Sequence, residues 1–450
     1  MPTITESFVD CILAVDYKSL PRQAVEVART AVLDTLAVSM AGLGEPLGVG
    51  RLSLEYARSM GSAPQASVIG GGFKCAMPDA AYANGTLAHA LDYDSMWYPL
   101  NPPASPTLPA IFALAEHHHL SGASVIEAIV AAFEVQGRIR LASTGMAIGT
   151  KFHKPGVMGV FGATTGAIKL LKLNREQALM ALGLAGSRAG SLALNAGTMT
   201  KSAHAGHSAR MGVECAVLAQ LGWTASADVF GPKGYFDTFM AGVAKPDLLI
   251  EGFGAPFRMV DPGVGFKLYP ANYFTHRPID AALALRAELN LRPEQIDRVE
   301  VIFPHFEYIN RPSPDTGLDG KFSVQYATLI ALLDGDITIA SFTNERRFSA
   351  DVVELLPRVK FVDDHSIPQD LDKMHTIVTI WLKDGRSATK RVDRLTGWLG
   401  TPPTREQWMR KYALCTENVL EKKAADRLLE LIERIEELPE ITEIMDIVRC

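Results

Sequence analysis

The composition of the 450-residue chain excludes several classes of protein. Hydrophobic residues make up 48% and charged residues 21% of the chain, which is typical of a well-packed enzyme and excludes a disordered chain. A formal net charge of −6 argues against a nucleic-acid-binding surface, although it is compatible with a local basic pocket for an anion. At this length we expect two domains, or one large helical domain with an insertion.

The cysteines and the apolar segments indicate which cofactors and which cell compartment to expect for this protein. Five cysteines occur singly, without a CxxC pair: Cys11, Cys75, Cys215, Cys415 and Cys450. This scatter predicts reduced thiols and excludes an iron–sulfur hydratase of aconitase type, which needs three cluster cysteines. The first residues lack the basic and apolar regions of a signal peptide, and charged residues interrupt the apolar segments. We therefore predict a cytoplasmic protein that binds neither membrane nor nucleic acid.

The first part of the chain has the pattern of a helical domain. From residue 4 to about 240, stretches with an apolar period of 3.6 are separated by Gly or Pro. Helices are predicted over 20–42, where Pro21 lies in the first turn, and over 124–140. Small residues are abundant at 179–200, which indicates helices that approach closely.

After about residue 255 the pattern changes to mixed α and β. Strands are predicted at 298–307 and 376–392, the second containing an Asp384-Gly385 turn, and helices at 326–337 and 351–362. A charged amphipathic tail follows from Thr404. The predicted fold is mainly α with an α+β second domain: a large all-helical domain (1–258), a smaller α+β lid domain (259–394) and C-terminal helices that return to the helical domain (395–450).

The segment at 83–110 carries candidate proton-transfer groups. His89 and Asp92 are three residues apart and are predicted to share one face of a helix, and Asp94 follows just beyond. An imidazole and two carboxylates at a helix end, followed by a Pro-rich loop, would hold acid–base groups on a fixed platform. The alternative is a helix C-terminus with solvated acids.

A second candidate segment is basic. Lys201, His204, His207 and Arg210 recur at intervals of three along 199–212, which predicts a stripe of four basic groups on one helix. Such a stripe suits the binding of several carboxylates and could shift a lysine or histidine pKa toward neutrality. The alternative is a polar helix surface. Two histidines are too few for a metal site, so no metal is predicted.

Two loops complete the set of candidate segments. Residues 149–167 place His153 before a Gly-rich helix start, and residues 267–286 contain Lys267, Tyr269, His276 and Arg277. Backbone amides in these loops could hold an anion. Either histidine alone would more often be structural than catalytic, but four such segments in one chain indicate a shared active site.

Taken in order, five blocks resemble the successive motifs of the MmgE/PrpD family: NGTLAHALDYD, KFHKPGVMGVFGATTGAIKLLKL, KSAHAGHSARMGVECAVLAQLGW, KLYPANYFTHRPIDAALALR and KFSVQYATLIALLDGDI. The family includes 2-methylcitrate and alkylcitrate dehydratases, cis-aconitate decarboxylases and iminodisuccinate epimerase. The resemblance implies a small polycarboxylic acid as substrate, no metal and no cofactor. It also implies a large helical domain with a smaller α+β lid, assembled as a homodimer.

The resemblance also implies site residues. Asp92, His153, Lys201 and His276 match positions that the family uses around its substrate, and Tyr326 lies in an FSxxY block near the pocket. One position departs from the family, whose decarboxylases carry a histidine in an HPxS-like loop where this chain has Pro102. A prolyl ring cannot transfer a proton, so either another group such as His153 or Tyr98 takes that role, or the reaction differs.

The expected function is metal-independent dehydration of a citrate-like tricarboxylate of the 2-methylcitrate or alkylcitrate type. Asp92 or His153 is the candidate base and His276 the candidate acid, while Lys201 with Arg210 or Lys267 would hold carboxylates and the enolate charge. The remaining predicted substrate-binding residues are His204, Tyr326 and Asp94. Epimerisation of the iminodisuccinate type, decarboxylation of the cis-aconitate type and a non-catalytic, ligand-binding helical scaffold stay open as alternatives.

Overall fold

The computed structural model describes residues 1–143, 151–240 and 243–450, and these form two compact units. The first unit contains residues 1–90, 94–265 and 412–450, and the second contains residues 91–93 and 266–411. Within the described residues, no helix has the length and apolar character needed to cross a bilayer.

The first unit is built almost entirely from helices. Its helices are α1 (Ile4–Leu13), α2 (Arg22–Gly42), α3 (Val49–Ser59), α4 (Met77–Ala90), α5 (Leu108–His117), α6 (Gly122–Ala142), α7 (Lys154–Leu170), α8 (Arg175–Arg188), α9 (Met199–Gln220), α10 (Tyr235–Met240) and, near the C-terminus, α17 (Lys422–Glu433) and α18 (Thr442–Arg449). Two short antiparallel pairs accompany them: β1 (Ala66–Ser67) with β2 (Lys74–Cys75), and β3 (Met96–Trp97) with β4 (Val264–Gly265).

Glycines allow the central helices of the first unit to approach closely. Where α4 packs on α9, a Cβ atom built at Gly206 would lie 2.3 Å from the backbone oxygen of Tyr82, and one at Gly85 would lie 2.8 Å from the Cα of Gly206. Where α7 packs on α9, a Cβ at Gly212 would lie 2.3 Å from the Cβ of Ala163. These distances exclude larger residues unless the backbone shifts. The close packing fixes the helix ends that carry the polar cluster described below.

The second unit combines a four-stranded sheet with short helices. Its strands are β5 (Ile296–Phe303), β6 (Val359–Asp363), β7 (Thr376–Leu382) and β8 (Ser387–Val392), in the order β6-β5-β7-β8. Strands β5 and β6 are parallel, whereas β5 with β7 and β7 with β8 are antiparallel. Its helices are α11 (Tyr273–Leu289), α12 (Gly317–Gly320), α13 (Val324–Asp334), α14 (Asn344–Arg347) and α15 (Ala350–Leu355), and α16 (Arg405–Thr416) leads back to the first unit.

The alternation of buried residues determines which face of the sheet is covered. Thr376, Val378, Ile380 and Leu382 of β7 are buried and the residues between them are partly exposed, as expected for a strand with one buried face. Helix α11 packs against β7 and β8, and α13 packs against α11 and β6. The second unit is therefore an α+β layer built on one face of the sheet.

The predicted fold class, a large helical domain with a smaller α+β domain, is confirmed. The helix predicted over 351–362 is wrong in its second half, because α15 ends at Leu355 and β6 begins at Val359. Pro357 cannot continue a helix, and the residues after it pair in parallel with β5. The compact units change at residues 265/266 and 411/412, whereas the sequence predicts boundaries at 258 and 394.

Candidate active site

A buried histidine, aspartate and serine meet at the end of α4. His89 lies in the last turn, and its Nδ1 is 2.9 Å from Oδ2 of Asp94, which also accepts a 2.5 Å hydrogen bond from Ser105 Oγ. Because a carboxylate accepts hydrogen bonds, Nδ1 of His89 carries a proton, and in the neutral imidazole Nε2 then has the lone pair. That Nε2 is buried and has no hydrogen-bond partner among the residues described. The arrangement gives His89 the geometry of an oriented base.

The predicted pairing of His89 with Asp92 on one helix face is wrong. Helix α4 ends at Ala90, and Asp92 adopts a left-handed conformation with φ 53°. An aspartate tolerates this conformation better than most residues, and it turns the chain away from the helix axis. Asp94 therefore contacts His89, while Asp92 belongs to the second unit.

Two further histidines extend the cluster in the first unit. His153 is the N-cap residue of α7, and its Nδ1 is 3.0 Å from Nδ1 of His204 on α9. The ring of His153 also lies 5.5 Å from that of His89, centroid to centroid. We call His89, His153 and His204 the histidine row. Burial, together with His89, His207 and Lys201, lowers the pKa of His204 to about 4, so its imidazole is neutral at pH 7.

The close Nδ1 contact determines how protons are arranged in the His153–His204 pair. A hydrogen bond between two ring nitrogens needs a proton on one and a lone pair on the other. When both rings are neutral, the ring that donates has its proton on Nδ1 and a lone pair on Nε2. The ring that accepts has the lone pair on Nδ1 and its proton on Nε2, so the pair contains one ring of each tautomer. A proton that enters one ring can therefore be balanced by a proton that leaves the other.

The predicted stripe of four basic groups is wrong for Arg210. Residues three apart differ by about 300° around a helix, so Arg210 points roughly opposite to Lys201, nine residues earlier. The Arg210 guanidinium instead lies 3.1 Å from Asp79 and 2.9 Å from Glu214. His204 joins the histidine row, and Lys201 acts on it electrostatically.

Two additional cations near the histidine row were not singled out from the sequence. Lys154 directly follows His153, and burial together with Arg140 lowers the pKa of Lys154 to about 8. Burial likewise lowers the pKa of Arg140 to about 10. Both side chains are partly buried, and neighbouring cations that are partly withdrawn from water favour an anion between or beside them. Gly149 and Thr150, which begin the segment predicted to hold an anion, lie outside the described residues.

Asn101 is a further polar group at the site, and no sequence motif points to it. It precedes Pro102, is fully buried, and neither its amide nitrogen nor its amide oxygen has a partner within the described ranges. A buried amide without partners is costly, and such groups are often satisfied by a ligand. Asn101 is therefore a candidate for contacting a carboxylate or hydroxyl group.

The second unit holds its own cluster of predicted site residues. Lys267 Nζ donates 2.7 Å hydrogen bonds to both the backbone oxygen and Oδ1 of Asp92, which fixes the left-handed turn. Both side chains are buried. This buried ion pair lies near His276, because Lys267 and Asp92 both act electrostatically on that imidazole.

The backbone orients the imidazole of His276, and its predicted role as the acid stays a prediction. Its Nε2 lies 3.2 Å from the backbone oxygen of Ala271, and since a carbonyl can only accept, Nε2 carries the proton. Nδ1 then has the lone pair, and it has no partner in the part of the chain that the structure describes. Burial, reinforced by Lys267, lowers the pKa of His276 to about 3. In this neutral form Nδ1 is the available acceptor of the ring.

Tyr326 is part of the core of the second unit. It is fully buried, and its hydroxyl donates a 2.6 Å hydrogen bond to the backbone oxygen of Ser341. Burial raises the pKa of its hydroxyl, so it stays protonated. This contact gives Tyr326 a structural use, and its role as a substrate contact stays a prediction.

Comparison with known proteins decides the family. The profile of the MmgE/PrpD N-terminal domain matches residues 6–248, and that of the MmgE/PrpD C-terminal domain matches residues 269–437. The chain belongs to the MmgE/PrpD family. The resemblance noted from the five sequence blocks is thereby confirmed.

Named relatives in the family include two kinds of enzyme. Cis-aconitate decarboxylases of Mus musculus and Homo sapiens are each 30% identical to this chain and cover 96% of it, and the chain covers 90% and 92% of theirs. A 2-methylcitrate dehydratase of Cupriavidus necator is 25% identical, over 80% of this chain and 79% of its own. These relatives thus include both decarboxylating and dehydrating enzymes, and the mammalian decarboxylases match this chain at higher identity and over more of its length.

Proposed function

We propose that the protein is a hydro-lyase that removes water from a citrate-like tricarboxylate, such as 2-methylcitrate or an alkylcitrate, without a catalytic metal. The histidine row of the first unit carries this proposal. Elimination of water requires one group to accept a proton and another to donate one. His89 with Asp94 and the His153–His204 pair provide these two functions within one cluster.

His89 is the proposed base. Asp94 holds the proton on Nδ1 of His89, which leaves the lone pair of Nε2 to take a proton from the carbon next to a substrate carboxylate. The resulting negative charge spreads onto that carboxylate, where Lys201 can stabilise it. This assignment also explains how a proton can be transferred although Pro102 stands where the related decarboxylases have a histidine, because the imidazole of His89 takes that role.

The His153–His204 pair is the proposed acid. The proton that His89 takes from carbon passes to Nε2 of the neighbouring His153. The Nδ1 proton of His153 moves at the same time across the 3.0 Å contact to Nδ1 of His204, which gives its Nε2 proton to the departing hydroxyl group, so that the C–O bond breaks and water leaves. Each ring is neutral before and after this relay, no outside reactant is needed, and the two tautomers of the pair have exchanged.

The cations around the row suit a substrate with several carboxylates. Arg140, Lys154 and Lys201 are the proposed carboxylate partners, and the amide of Asn101 is a further one. A carboxylate beside Lys154 would favour its charged form and so offset the depression of its pKa.

Decarboxylation of a cis-aconitate-like substrate is the second candidate. It is favoured by the 30% identity, over 96% of this chain, to the mammalian cis-aconitate decarboxylases. In that reaction carbon dioxide leaves and only one proton is delivered to carbon, which the His153–His204 pair can relay from solvent. Pro102 stands against this candidate, since the resemblance places a histidine of the decarboxylases there.

Proton NMR in D₂O tests these proposals. The full-length protein, treated with a chelator and dialysed, would be incubated in parallel with citrate, 2-methylcitrate, longer alkylcitrates, cis-aconitate and iminodisuccinate. An alkene signal from a citrate supports dehydration. Loss of carbon dioxide from cis-aconitate supports the second candidate, and deuterium entering an otherwise unchanged substrate supports epimerisation. No change in any sample contradicts the proposed function.

We further propose that the enzyme acts as a cytoplasmic homodimer and needs no cofactor. Light scattering coupled to size-exclusion chromatography measures the assembly, for which a mass of about twice the 48.8 kDa chain is expected. A single-chain mass would contradict the dimer. Activity that survives dialysis against chelator supports the absence of a cofactor, and activity restored only by an added ion or coenzyme would contradict it.

A further inference from the structure

Two parallel strands bring two histidines and an aspartate together at one edge of the second unit. Strands β5 and β6 pair in parallel, with Phe303 opposite Asp363, so their carboxyl ends lie at the same edge of the sheet. His305 follows the end of β5 by two residues, and His365 follows Asp363, the last residue of β6, by two. We call His305, Asp363 and His365 the strand-end cluster.

The three side chains of the strand-end cluster lie close enough together to reach one metal ion after rotation of the stacked rings. Nδ1 of His305 lies 3.0 Å from Oδ2 of Asp363, and the rings of His305 and His365 stack with centroids 4.8 Å apart and an interplanar angle of 20°. One ligand atom from each of the three residues lies within 4.8 Å of the others. Asp363 and His365 are exposed and His305 is partly so, so an ion can reach all three.

The backbone around the cluster is fixed by its own hydrogen bonds. Asp364 N donates a 2.9 Å bond to the backbone oxygen of Phe303, which continues the strand pairing by one residue. Oδ1 of Asp364 accepts bonds from both N and Oγ of Ser366, which closes the turn that carries His365. Gln369 Nε2 donates to the backbone oxygen of His305. The ligands therefore project from ordered turns, and only side-chain rotation is needed to close the site.

We propose that the strand-end cluster binds a divalent transition-metal ion of the Zn²⁺, Co²⁺ or Ni²⁺ class. Two imidazoles with one carboxylate suit these ions, whereas Mg²⁺ and Ca²⁺ prefer oxygen ligands alone. Bonds of about 2.0 Å to a tetrahedral ion place neighbouring ligand atoms about 3.3 Å apart. The 3.0 Å separation of His305 Nδ1 and Asp363 Oδ2 is already close to that value. The ion takes the place of the Nδ1 proton, which is released to water, and water fills the open coordination position.

A bound ion would join the loop after β5 to the turn after β6. Because binding to the folded state alone stabilises that state, the ion should raise the thermal midpoint of the protein. The histidine row belongs to the first unit and shares no residue with this cluster. The metal proposal therefore stands or falls separately from the proposed lyase activity.

Co²⁺ titration tests the proposal, since Co²⁺ bound by nitrogen and oxygen ligands absorbs visible light. The full-length protein would be stripped with chelator, titrated with CoCl₂, and then challenged with ZnCl₂. We expect one Co²⁺ per chain, displaced by Zn²⁺. His365→Ala and Asp363→Asn should each lower the affinity at least about tenfold, and Zn²⁺ should raise the thermal midpoint of the wild type but not of His365→Ala.

The matched control is His119→Ala. His119 and Glu440 form another exposed histidine–carboxylate pair, 2.7 Å apart, which belongs to no three-ligand group among the described residues. This variant should bind Co²⁺ as the wild type does. Three results would overturn the proposal: no saturable binding by the wild type, unchanged binding by His365→Ala and Asp363→Asn, or loss of binding in His119→Ala. Circular dichroism of the ion-free variants would show that each is folded.

Discussion

Replacing His204 by asparagine should make the folded protein less sensitive to acid. His204 is buried against His153, and its pKa is lowered to about 4, whereas a histidine in an unfolded chain has a pKa of about 6.5. Between these two values the unfolded chain binds a proton that the folded protein does not. Stability therefore falls as the pH drops below about 6.5, and this loss is complete below about pH 4.

The size of the effect follows from the pKa difference. At pH 5 the solution is about 1.5 units below the unfolded-state pKa, and each unit corresponds to about 1.4 kcal/mol, so His204 alone should cost about 2 kcal/mol relative to pH 7.5. Asparagine does not titrate, and its side chain can still reach Nδ1 of His153. The His204→Asn variant should thus lose about 2 kcal/mol less than the wild type between pH 7.5 and pH 5.

Urea unfolding followed by tryptophan fluorescence at both pH values measures this difference. His117→Asn, a substitution at the end of α5 outside the histidine row, controls for the general effect of removing a histidine. An equal loss of stability on acidification in the wild type and His204→Asn would refute the reasoning. It would mean that His204 takes up its proton in the folded protein as easily as in the unfolded chain.

Three further tests, two of them with a matched control substitution, address the helix packing and the histidine row. Gly206→Ala should lower the free energy of unfolding by about 1–3 kcal/mol, because its Cβ would meet the backbone of α4. Gly190→Ala has open space around it and should lie within about 0.5 kcal/mol of the wild type. Thermal unfolding of both variants measures this difference. Asp94→Asn should reduce kcat by about 10²-fold or more, because the carboxylate that keeps the proton on Nδ1 of His89 is lost. An unchanged kcat would contradict the role of Asp94 in orienting His89. Lys201→Gln should lower kcat/KM at least about tenfold. Arg210→Gln should change kcat/KM less than about threefold, because the guanidinium of Arg210 is already paired with Asp79 and Glu214. Equal losses in the two variants would contradict this division of roles.

Elements with a strong local pattern could be predicted from the sequence. The apolar period of 3.6 indicated α2 and α6, whose bounds in the structure are Arg22–Gly42 and Gly122–Ala142. Alternating β-branched residues and the Asp384-Gly385 turn indicated the β7–β8 hairpin. Strand β6 was missed because its five residues follow a real helical turn, and its partner, β5, lies far away in sequence.

The candidate site could be predicted only in part. The sequence indicates the segments that supply the histidine row, but it pairs His89 with Asp92, because no Gly or Pro signals the end of α4. An aspartate in the left-handed conformation follows the end of this helix instead. No local spacing indicates that His153 and His204, 51 residues apart, share a hydrogen bond. Ser105 and Asn101 lie in a loop whose folding depends on tertiary packing. The pattern His-x4-Asp was the one signal that could have identified the His89–Asp94 pair.

The most direct test of the proposed mechanism is the rate of alkene formation by His89→Gln with the tricarboxylate that the wild type dehydrates. The substrate would carry deuterium on the carbon that loses its proton. We expect a primary isotope effect in the wild type and a loss of kcat of at least about 10²-fold in His89→Gln, with the dissociation constant for the substrate, measured by calorimetry, unchanged within about threefold. A His89→Gln variant with wild-type kcat and isotope effect would contradict the assignment of His89 as the base.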